Sequence, residues 1–181
     1  MATAKTGSFY LTETVAFTSG TSSGDRVLGS IDLGAYVSVA QGLAIAVESV
    51  DFVWQDNNFS GNIPGRLSAN GTVTAQLTDL NPGTSFVRAD NQSLVASGTL
   101  TVDKVNNVVS QSSDLYPDNF GPAAVSEAFM VVNDTMYLMS GPDGADYLGT
   151  AYLTARIRCR VVKLGSKDWM AIAIQSTASD N

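Results

Sequence analysis

The sequence predicts an all-β protein, a single antiparallel β-sandwich of about eight strands. Apolar and polar residues alternate with period two along nearly every stretch, and Gly, Asn, Asp, Pro and Ser interrupt that alternation at short intervals. No long stretch has the period of a helix. A chain of 181 residues can bury roughly two thirds of its unfolded surface. We therefore expect one sandwich domain over residues 1–181, with residues 1–7 as a flexible N-terminal segment.

The first half of the chain contains four predicted strands, at residues 8–18, 26–33, 42–55 and 72–80. The third is apolar on both faces, which is typical of a central strand covered on both sides. Simple alternation divides it into two faces, one with Ala44, Ala46, Val50, Phe52 and Trp54 and the other with Leu43, Ile45, Val47 and Val53.

The second half opens with a strand at residues 94–103, which residues 105–109 extend, followed by a long surface loop at 110–122. Two short strands then flank Asn133-Asp134, a pair that suits a tight type I′ hairpin turn. The flanking strands are residues 128–132 and 135–139.

The most regular amphipathic strand covers residues 151–164. For the last segment, 168–177, alternation favours a strand. The alternative is a short helix capped by Ser166 with Asp168 in its first turn.

The composition excludes most catalytic chemistry. The chain has no histidine and one cysteine, so Ser-His and Cys-His pairs are impossible and a multi-cysteine metal cluster is excluded. Cys159 is on the apolar face of its strand, where we expect a packed core thiol. The nearest carboxylate pair, Glu48 and Asp51, falls on opposite faces of a regular strand. We expect no enzyme activity and no catalytic residue.

No cofactor or metal site is predicted either. The loop at residues 141–146 and the run at 56–58 carry oxygen ligands, but neither has an EF-hand pattern, so ordinary turns are favoured. No Gly-rich loop ends in the Lys-Ser/Thr of a phosphate site.

The net charge of −7 opposes non-specific binding to nucleic acid, and no specific nucleic-acid site is evident. Residues 1–150 contain 15 acidic and 5 basic residues, whereas residues 151–181 contain 2 acidic and 5 basic residues. Only 15% of all residues are charged, which is below the usual quarter. A surface so low in charge favours burial against other molecules.

The basic residues of the last strand include the one candidate contact site. Arg156, Arg158 and Arg160 project from the same face, roughly 7 Å apart in succession. Such charges repel one another unless they are paired. One interpretation is a solvated face that pairs with acids on the neighbouring strand. The other is a contact with a second subunit, anionic lipid head groups or nucleic acid.

The strand pattern over residues 8–177, without histidine, resembles the single jelly-roll capsid proteins of viruses. Many of those carry a Lys/Arg-rich N-terminal arm, whereas residues 1–25 of this chain contain Lys5 as their one base. The chain is therefore more similar to the small capsid subunits of membrane-containing icosahedral viruses of archaea and bacteria. This resemblance implies copies of the chain as partners, with a second capsid subunit and an internal lipid membrane as further candidates.

These observations predict a structural capsid protein that self-assembles into a virion shell. The absence of a signal peptide and of a transmembrane segment predicts synthesis in the host cytoplasm. The alternative is a carbohydrate- or receptor-binding module of the spike or adhesin type. Its candidate stacking residues, in or near loops, are Trp54, Tyr116, Phe120 and Tyr147.

Overall fold

The computed structural model describes residues 2–57, 63–117 and 127–178. Within these residues the chain forms ten β-strands, one 3-10 helix over Ile63–Arg66 and one α-helix. The strands are β1 (Thr3–Ala4), β2 (Phe9–Phe17), β3 (Val27–Asp32), β4 (Leu43–Asp56), β5 (Gly71–Thr78), β6 (Leu94–Asp103), β7 (Val108–Leu115), β8 (Phe129–Val131), β9 (Thr135–Asp143) and β10 (Ala151–Lys163), and the helix is α1 (Ser166–Ala178).

The strands form two antiparallel sheets. The first has the order β2-β10-β4-β8, with β1 also paired to β10 beyond the start of β2. The second has the order β3-β9-β5-β6-β7. Their inner faces meet in one core, which draws side chains from both sheets. The predicted all-β sandwich is confirmed.

Eight of the strands pair as nested hairpins. β5 pairs with β6, β4 with β8, β3 with β9 and β2 with β10. This nesting is that of an antiparallel ribbon rolled into two sheets, which is a jelly-roll-like arrangement. β7 lies outside the nest, as an addition at the end of the second sheet.

β10 shows why these residues fold as strands. Its alternate residues are fully or almost fully buried against the second sheet, as the sequence pattern predicts. These inward residues are Leu153, Ala155, Ile157, Cys159 and Val161. The burial of each large aliphatic side chain contributes about 1.5–3 kcal/mol.

A β-bulge in β4 changes which of its residues face the core. Arg158 is opposite Ser49, but Cys159 is opposite Val47, so Glu48 is an extra residue on β4. The inward residues are odd-numbered before the bulge, at Ile45 and Val47, and even-numbered after it. The predicted division of faces by uninterrupted alternation was therefore wrong. Ala44 and Ala46, predicted to share a face with Val50, Phe52 and Trp54, lie on the outer face of the sheet beneath the helix.

The last segment is a helix, and the prediction of a strand over 168–177 was wrong. Trp169, Ile172, Ala173 and Ser176 have the spacing of one helical face, and the first three pack on the outer face of the first sheet. Their contacts there include Ala44, Ala46, Met130, Val132, Val162 and Leu164. The helix is favoured over a strand because it buries these apolar residues against that sheet. The amide of Trp169 donates to the carbonyl of Gly165, so Gly165 rather than Ser166 occupies the cap position.

The predicted hairpin around Asn133-Asp134 does not form. β8 pairs with β4 in the first sheet, whereas β9 pairs with β3 and β5 in the second. Neither turn residue has the positive φ that a type I′ turn requires. All of residues 128–132 are buried, since the core covers one face and α1 the other. The two residues therefore connect the sheets.

The predicted loop at 110–122 was also wrong over its first part, which forms most of β7. Residues 104–107 turn the chain back, with Asn107 at φ 57°, so residues 105–109 do not extend β6. Residues 118–122 of the predicted loop lie outside the described residues.

Part of the segment expected to be flexible is paired with β10. Thr3 faces Lys163 and Ala4 faces Val162. The amide of Lys5 donates to the carbonyl of Val161 at 2.8 Å, and the amide of Val161 donates to the hydroxyl of Thr6 at 3.0 Å. The backbone of residues 3–6 thus continues the edge of the first sheet.

Candidate functional site

The three predicted arginines lie on the outer face of β10, opposite its buried residues. Arg156 is flanked by Thr12 of β2 and Asp51 of β4, and Arg158 is flanked by Tyr10 and Ser49. The alternation of β10 therefore places the stripe where the sequence predicts it.

Glu48 binds two of these arginines. The Nε of Arg158 donates to Glu48 Oε2 at 2.9 Å, and the Nε of Arg160 donates to Oε1. The hydroxyl of Ser8 donates to Oε2 at 2.8 Å, and Arg160 Nη2 donates to that hydroxyl at 3.2 Å. The Glu48 side chain is 9% exposed, against 49% for Arg158 and 22% for Arg160. The four side chains form a network, which we call the Glu48 cluster.

The bulge keeps two consecutive residues of β4 on the outer face. Alternation from the inward Val47 places the Glu48 side chain outward, toward Arg158 and Arg160. The bulge leaves Ser49 outward as well, opposite Arg158. Burial acts to raise the pKa of Glu48, but hydrogen bonds from Arg160, Ser8 and Arg158 and the charge of Arg160 together lower it. The carboxylate is therefore the stable form in the fold.

Arg156 differs from its two neighbours. Its guanidinium lies 5.3 Å from the ring centroid of Tyr10, a cation–π contact, and its side chain is exposed. Within the described residues it has no ion pair. Arg158 and Arg160 thus have an acid partner on the neighbouring strand, and a contact of the stripe with another molecule stays a prediction.

Replacing Glu48 with glutamine should destabilise the protein by about 1–3 kcal/mol at pH 7, because two arginines lose a charged acceptor. The lowered pKa of Glu48 fixes the pH dependence. Its stabilising effect is complete above the unfolded pKa, near 4.3, and is lost as pH falls through the lower folded pKa. Urea denaturation at pH 7 and pH 3 measures both effects, and the difference between the two proteins should shrink at pH 3.

Asp51→Asn is the matched control for that experiment, since Asp51 is an exposed acid on the same strand. It should change the stability less than Glu48→Gln at pH 7. A Glu48→Gln protein as stable as the wild type at pH 7 would show that the Glu48 cluster contributes nothing to the fold.

A second ion pair lies at the C-terminal end of β4, between Asp56 and Arg66. Arg66 donates to Asp56 Oδ2 from Nη2 at 2.7 Å and from Nε at 3.1 Å. Asp56 is 1% exposed and Arg66 35%. Burial, with the charge of Asp56, raises the pKa of the nearby Tyr147 to about 12. The pair anchors the 3-10 helix to the end of β4, so its role is structural.

The acids of the loop at residues 141–146 are held by contacts within the chain. In the run at 56–58, Asp56 binds Arg66, and residue 58 lies outside the described residues. Asp143 accepts two hydrogen bonds from Arg26 Nη2, at 2.8 and 2.9 Å, and Asp146 accepts one from the amide of Ser23 at 2.7 Å. Among the described residues no group of three or more Cys, Asp or Glu side chains is placed to hold a metal ion. Ordinary turn contacts account for these acids.

The single thiol is in the core. Cys159 is fully buried, and burial, followed by the charge of Glu48, raises its pKa to about 12. A thiol at this pKa is inert as a nucleophile at neutral pH. The predicted core position of Cys159 is confirmed.

The aromatic residues proposed to stack on sugars do not form an exposed surface. Trp54 packs against the core, and Tyr147 is buried with its ring 5.8 Å from that of Phe17. Tyr116 is half-buried and shares a hydrogen bond with Ser97. Phe120 lies outside the described residues.

Two groups of exposed apolar side chains stand out on the described surface. The helix patch is Val39, Met170 and Ile174, each at least 60% exposed, beside α1. The hairpin patch is Val105, Val108 and Val109, at and after the turn between β6 and β7, with Val108 and Val109 on opposite faces of β7.

Sequence reasoning missed the acid that binds the arginines. Glu48 and Ser49 are two adjacent polar residues inside an otherwise apolar strand, and the apolar alternation changes phase across them. That phase change was the available signal for a bulge. The Asp56–Arg66 pair had no comparable signal, because only the folded chain brings β4 and the 3-10 helix together.

Within the described residues, no helix combines the length and the hydropathy needed to cross a bilayer.

Comparisons with known proteins give only distant likeness. No family model and no curated protein matches the chain. Among solved structures, a chain from Desmodium yellow mottle tymovirus is 12% identical with a TM-score of 0.35, covering 89% of this chain and 91% of that chain. One from turnip yellow mosaic virus is 9% identical with a TM-score of 0.26, covering 88% and 95%. Both scores are too low to carry an argument about this chain.

Proposed function

We propose that this chain is a structural capsid subunit that associates with copies of itself to form a viral shell. Jelly rolls occur in both viral capsid proteins and lectin domains, so the surface must decide between the two hypotheses. The observation that carries the proposal is the presence of two separate apolar patches, the helix patch and the hairpin patch.

The two patches lie at opposite ends of the sandwich. The helix patch follows Lys163, which faces Leu43 at one end of the β10–β4 pair. The hairpin patch adjoins Lys104, whose Nζ donates to the carbonyl of Leu67, beside the Asp56–Arg66 pair at the other end. Each patch can therefore contact a different neighbour.

A closed shell needs this arrangement. Contacts between identical subunits are either self-complementary or join two different surfaces, and a subunit with one contact surface forms only a dimer. Exposed apolar clusters on soluble proteins mark interaction sites. With 15% charged residues, the chain has few charges to desolvate at such contacts.

The alternative of a sugar-binding module has less support. Of its candidate residues, Tyr147 is buried beside Phe17 and Trp54 is half-buried against the core, so neither presents an open ring face of the kind that stacks on a sugar. The nested jelly-roll pairing of the strands is compatible with both hypotheses. Copies of this chain are the partners we propose, and no described feature favours a second capsid subunit or a lipid membrane.

Met170→Lys tests the proposal against a matched control, Leu28→Lys. Both positions are exposed and apolar, but Leu28 lies on β3, outside both patches. We expect the wild type and Leu28→Lys to form shells or capsomers in electron micrographs and sedimentation velocity runs. Met170→Lys should need at least a tenfold higher protein concentration, because a charge would be buried at the contact.

Two results would overturn the proposal. One is a wild-type protein that stays monomeric at high concentration across a range of salt. The other is binding to defined sugars on a glycan array without any assembly, which would favour the binding module.

A further inference from the structure

β7 is an exposed edge strand added to the jelly roll. Among the described residues it pairs with β6 alone, and its first seven residues are all exposed. Val109 faces the same side as the buried Val102 of β6, and Gln111 the same side as Leu100, yet both are exposed. Gln111 still contacts the first sheet, since its Nε2 donates to the carbonyl of Phe52 on β4 at 3.1 Å. The backbone edge of β7, by contrast, pairs with no other strand among the described residues.

The register shows which backbone groups of β7 are open. The amide of Tyr116 donates to the carbonyl of Val95 directly opposite, at 3.0 Å. In an antiparallel pair, such hydrogen-bonded positions alternate with positions whose amide and carbonyl point away. Four residues of β7 therefore direct one N–H and one C=O each toward the open edge. They are Val109, Gln111, Ser113 and Leu115.

In the part of the chain that the structure describes, this edge lacks the usual protection against pairing. Natural edge strands carry lysine or proline, contain a bulge, or are covered by other elements. β7 contains no lysine, arginine or proline, has an uninterrupted register with β6, and has Asp114 as its one charge. At the other end of this sheet, β2 packs over one face of β3, since atoms of Glu13 and Val15 lie within 3 Å of the position a Cβ on Gly29 would take.

We propose that β7 pairs with the β7 of a second copy of this chain, antiparallel about a twofold axis at Ser112. One register satisfies all four open residues on both strands. It pairs Val109 with Leu115 of the second copy and Gln111 with Ser113 of the second copy, and so places Ser112 opposite its own copy. The two five-stranded sheets then continue as one.

A second copy fits this edge better than a different partner. An antiparallel pair about a twofold axis is self-complementary, so one edge supplies both halves of the contact. In this register Asp114 faces Ser110 of the second copy rather than another carboxylate. Two like charges directly opposite each other, which would destabilise the pair, are therefore avoided. The exposed Val108 lies opposite Tyr116 of the second copy. The inference rests on the proposed function, since it names one contact of the shell.

Disulfide trapping tests the register. Across the axis the two Ser112 Cα atoms are about 4.5 Å apart, as in a position without direct hydrogen bonds, within the reach of a disulfide. The two Ser110 Cα atoms are about 13 Å apart, four residues along the strand at about 3.3 Å each. Under mild oxidation of the full-length chain, Ser112→Cys should give at least tenfold more covalent dimer than Ser110→Cys.

The matched pair makes the result interpretable. Ser110 and Ser112 are both exposed and share a face of β7, and the buried Cys159 is common to both variants and the wild type. Equal cross-linking at the two positions, or none at Ser112, would overturn the proposal.

Proline substitution tests the backbone pairing separately. Ser113→Pro removes an N–H of the open edge and leaves the hydrogen bonds to β6 intact, so the strand should still form. The dimer dissociation constant from sedimentation equilibrium should rise at least tenfold for Ser113→Pro and stay unchanged for Ser113→Ala. A dimer unaffected by the proline would contradict pairing through this edge.

The outcomes separate the two proposals. Shells without a Ser112 cross-link would retain the capsid function and remove this interface. A specific Ser112 cross-link without shells would retain the interface and remove the capsid function.

Discussion

Replacing Arg66 with alanine is expected to lower the free energy of unfolding by about 3 kcal/mol, since it leaves the Asp56 carboxylate without its cation. Asp56 is almost fully buried, and its two hydrogen bonds from Arg66 involve the same oxygen, Oδ2. Breaking a buried ion pair costs about 3–5 kcal/mol. We expect the lower end of that range because the guanidinium of Arg66 is partly solvated. Urea denaturation followed by circular dichroism measures it.

Arg158→Ala is the control for that variant. Arg158 also pairs with a shielded carboxylate, but it is half exposed, and Glu48 keeps Arg160 as a partner. We expect a loss below about 1 kcal/mol, which is typical of exposed pairs. If both arginines cost the same, burial of the acid is not what gives the Asp56–Arg66 pair its effect.

Truncating Phe17 to alanine should cost about 3–5 kcal/mol, the range for removing a buried aromatic side chain. Phe17 is fully buried at the end of β2 and packs against the ring of Tyr147, with centroids 5.8 Å apart. The cavity would lie between the ends of the two sheets, where the strands on either side are fixed by their ladders and cannot move together. Thermal and urea unfolding measure the loss.

Two further variants define what the Phe17 result means. Tyr10→Ala removes an exposed ring from the same strand and should cost under about 1 kcal/mol. Tyr147→Phe keeps the packed ring and removes a buried hydroxyl that has no hydrogen-bond partner among the described residues, so it should leave stability unchanged or slightly raise it. A large loss for Tyr147→Phe would show that the hydroxyl has a structural role.

The strands that alternate apolar and polar residues could be predicted from the sequence, and those whose surroundings depend on distant residues could not. β2 and β10 have one buried and one exposed face, so period two reveals them. β7 is exposed on both faces, and its Ser-rich sequence is indistinguishable from a loop. β8 is buried on both faces, so the two turn residues after it suggested a hairpin although its partner is β4.

The same reasoning explains what was predicted of the candidate site. The position of Arg156, Arg158 and Arg160 follows from the parity of one regular strand. The position of their partner Glu48 does not follow from such alternation. The bulge puts Glu48 and Val50 on opposite faces of β4, although both are even-numbered residues. For α1, the apolar residues at 169–174 are compatible with both the strand period of two and the helical period of 3.6. The helix is favoured by packing on the outer face of the first sheet, which the sequence does not reveal.

The nested pairing also has a consequence for synthesis of the chain. The hydroxyls of Thr14 and Thr154, on paired strands, are 2.9 Å apart in space and 140 positions apart in sequence. A ribosome adding about 5–20 residues per second needs roughly 7–28 s to make that interval. Throughout it, β2 lacks the strand with which it pairs along its whole length. Chaperones that hold nascent chains therefore have a long window in which to bind this strand, and the first sheet assembles only after β10 emerges.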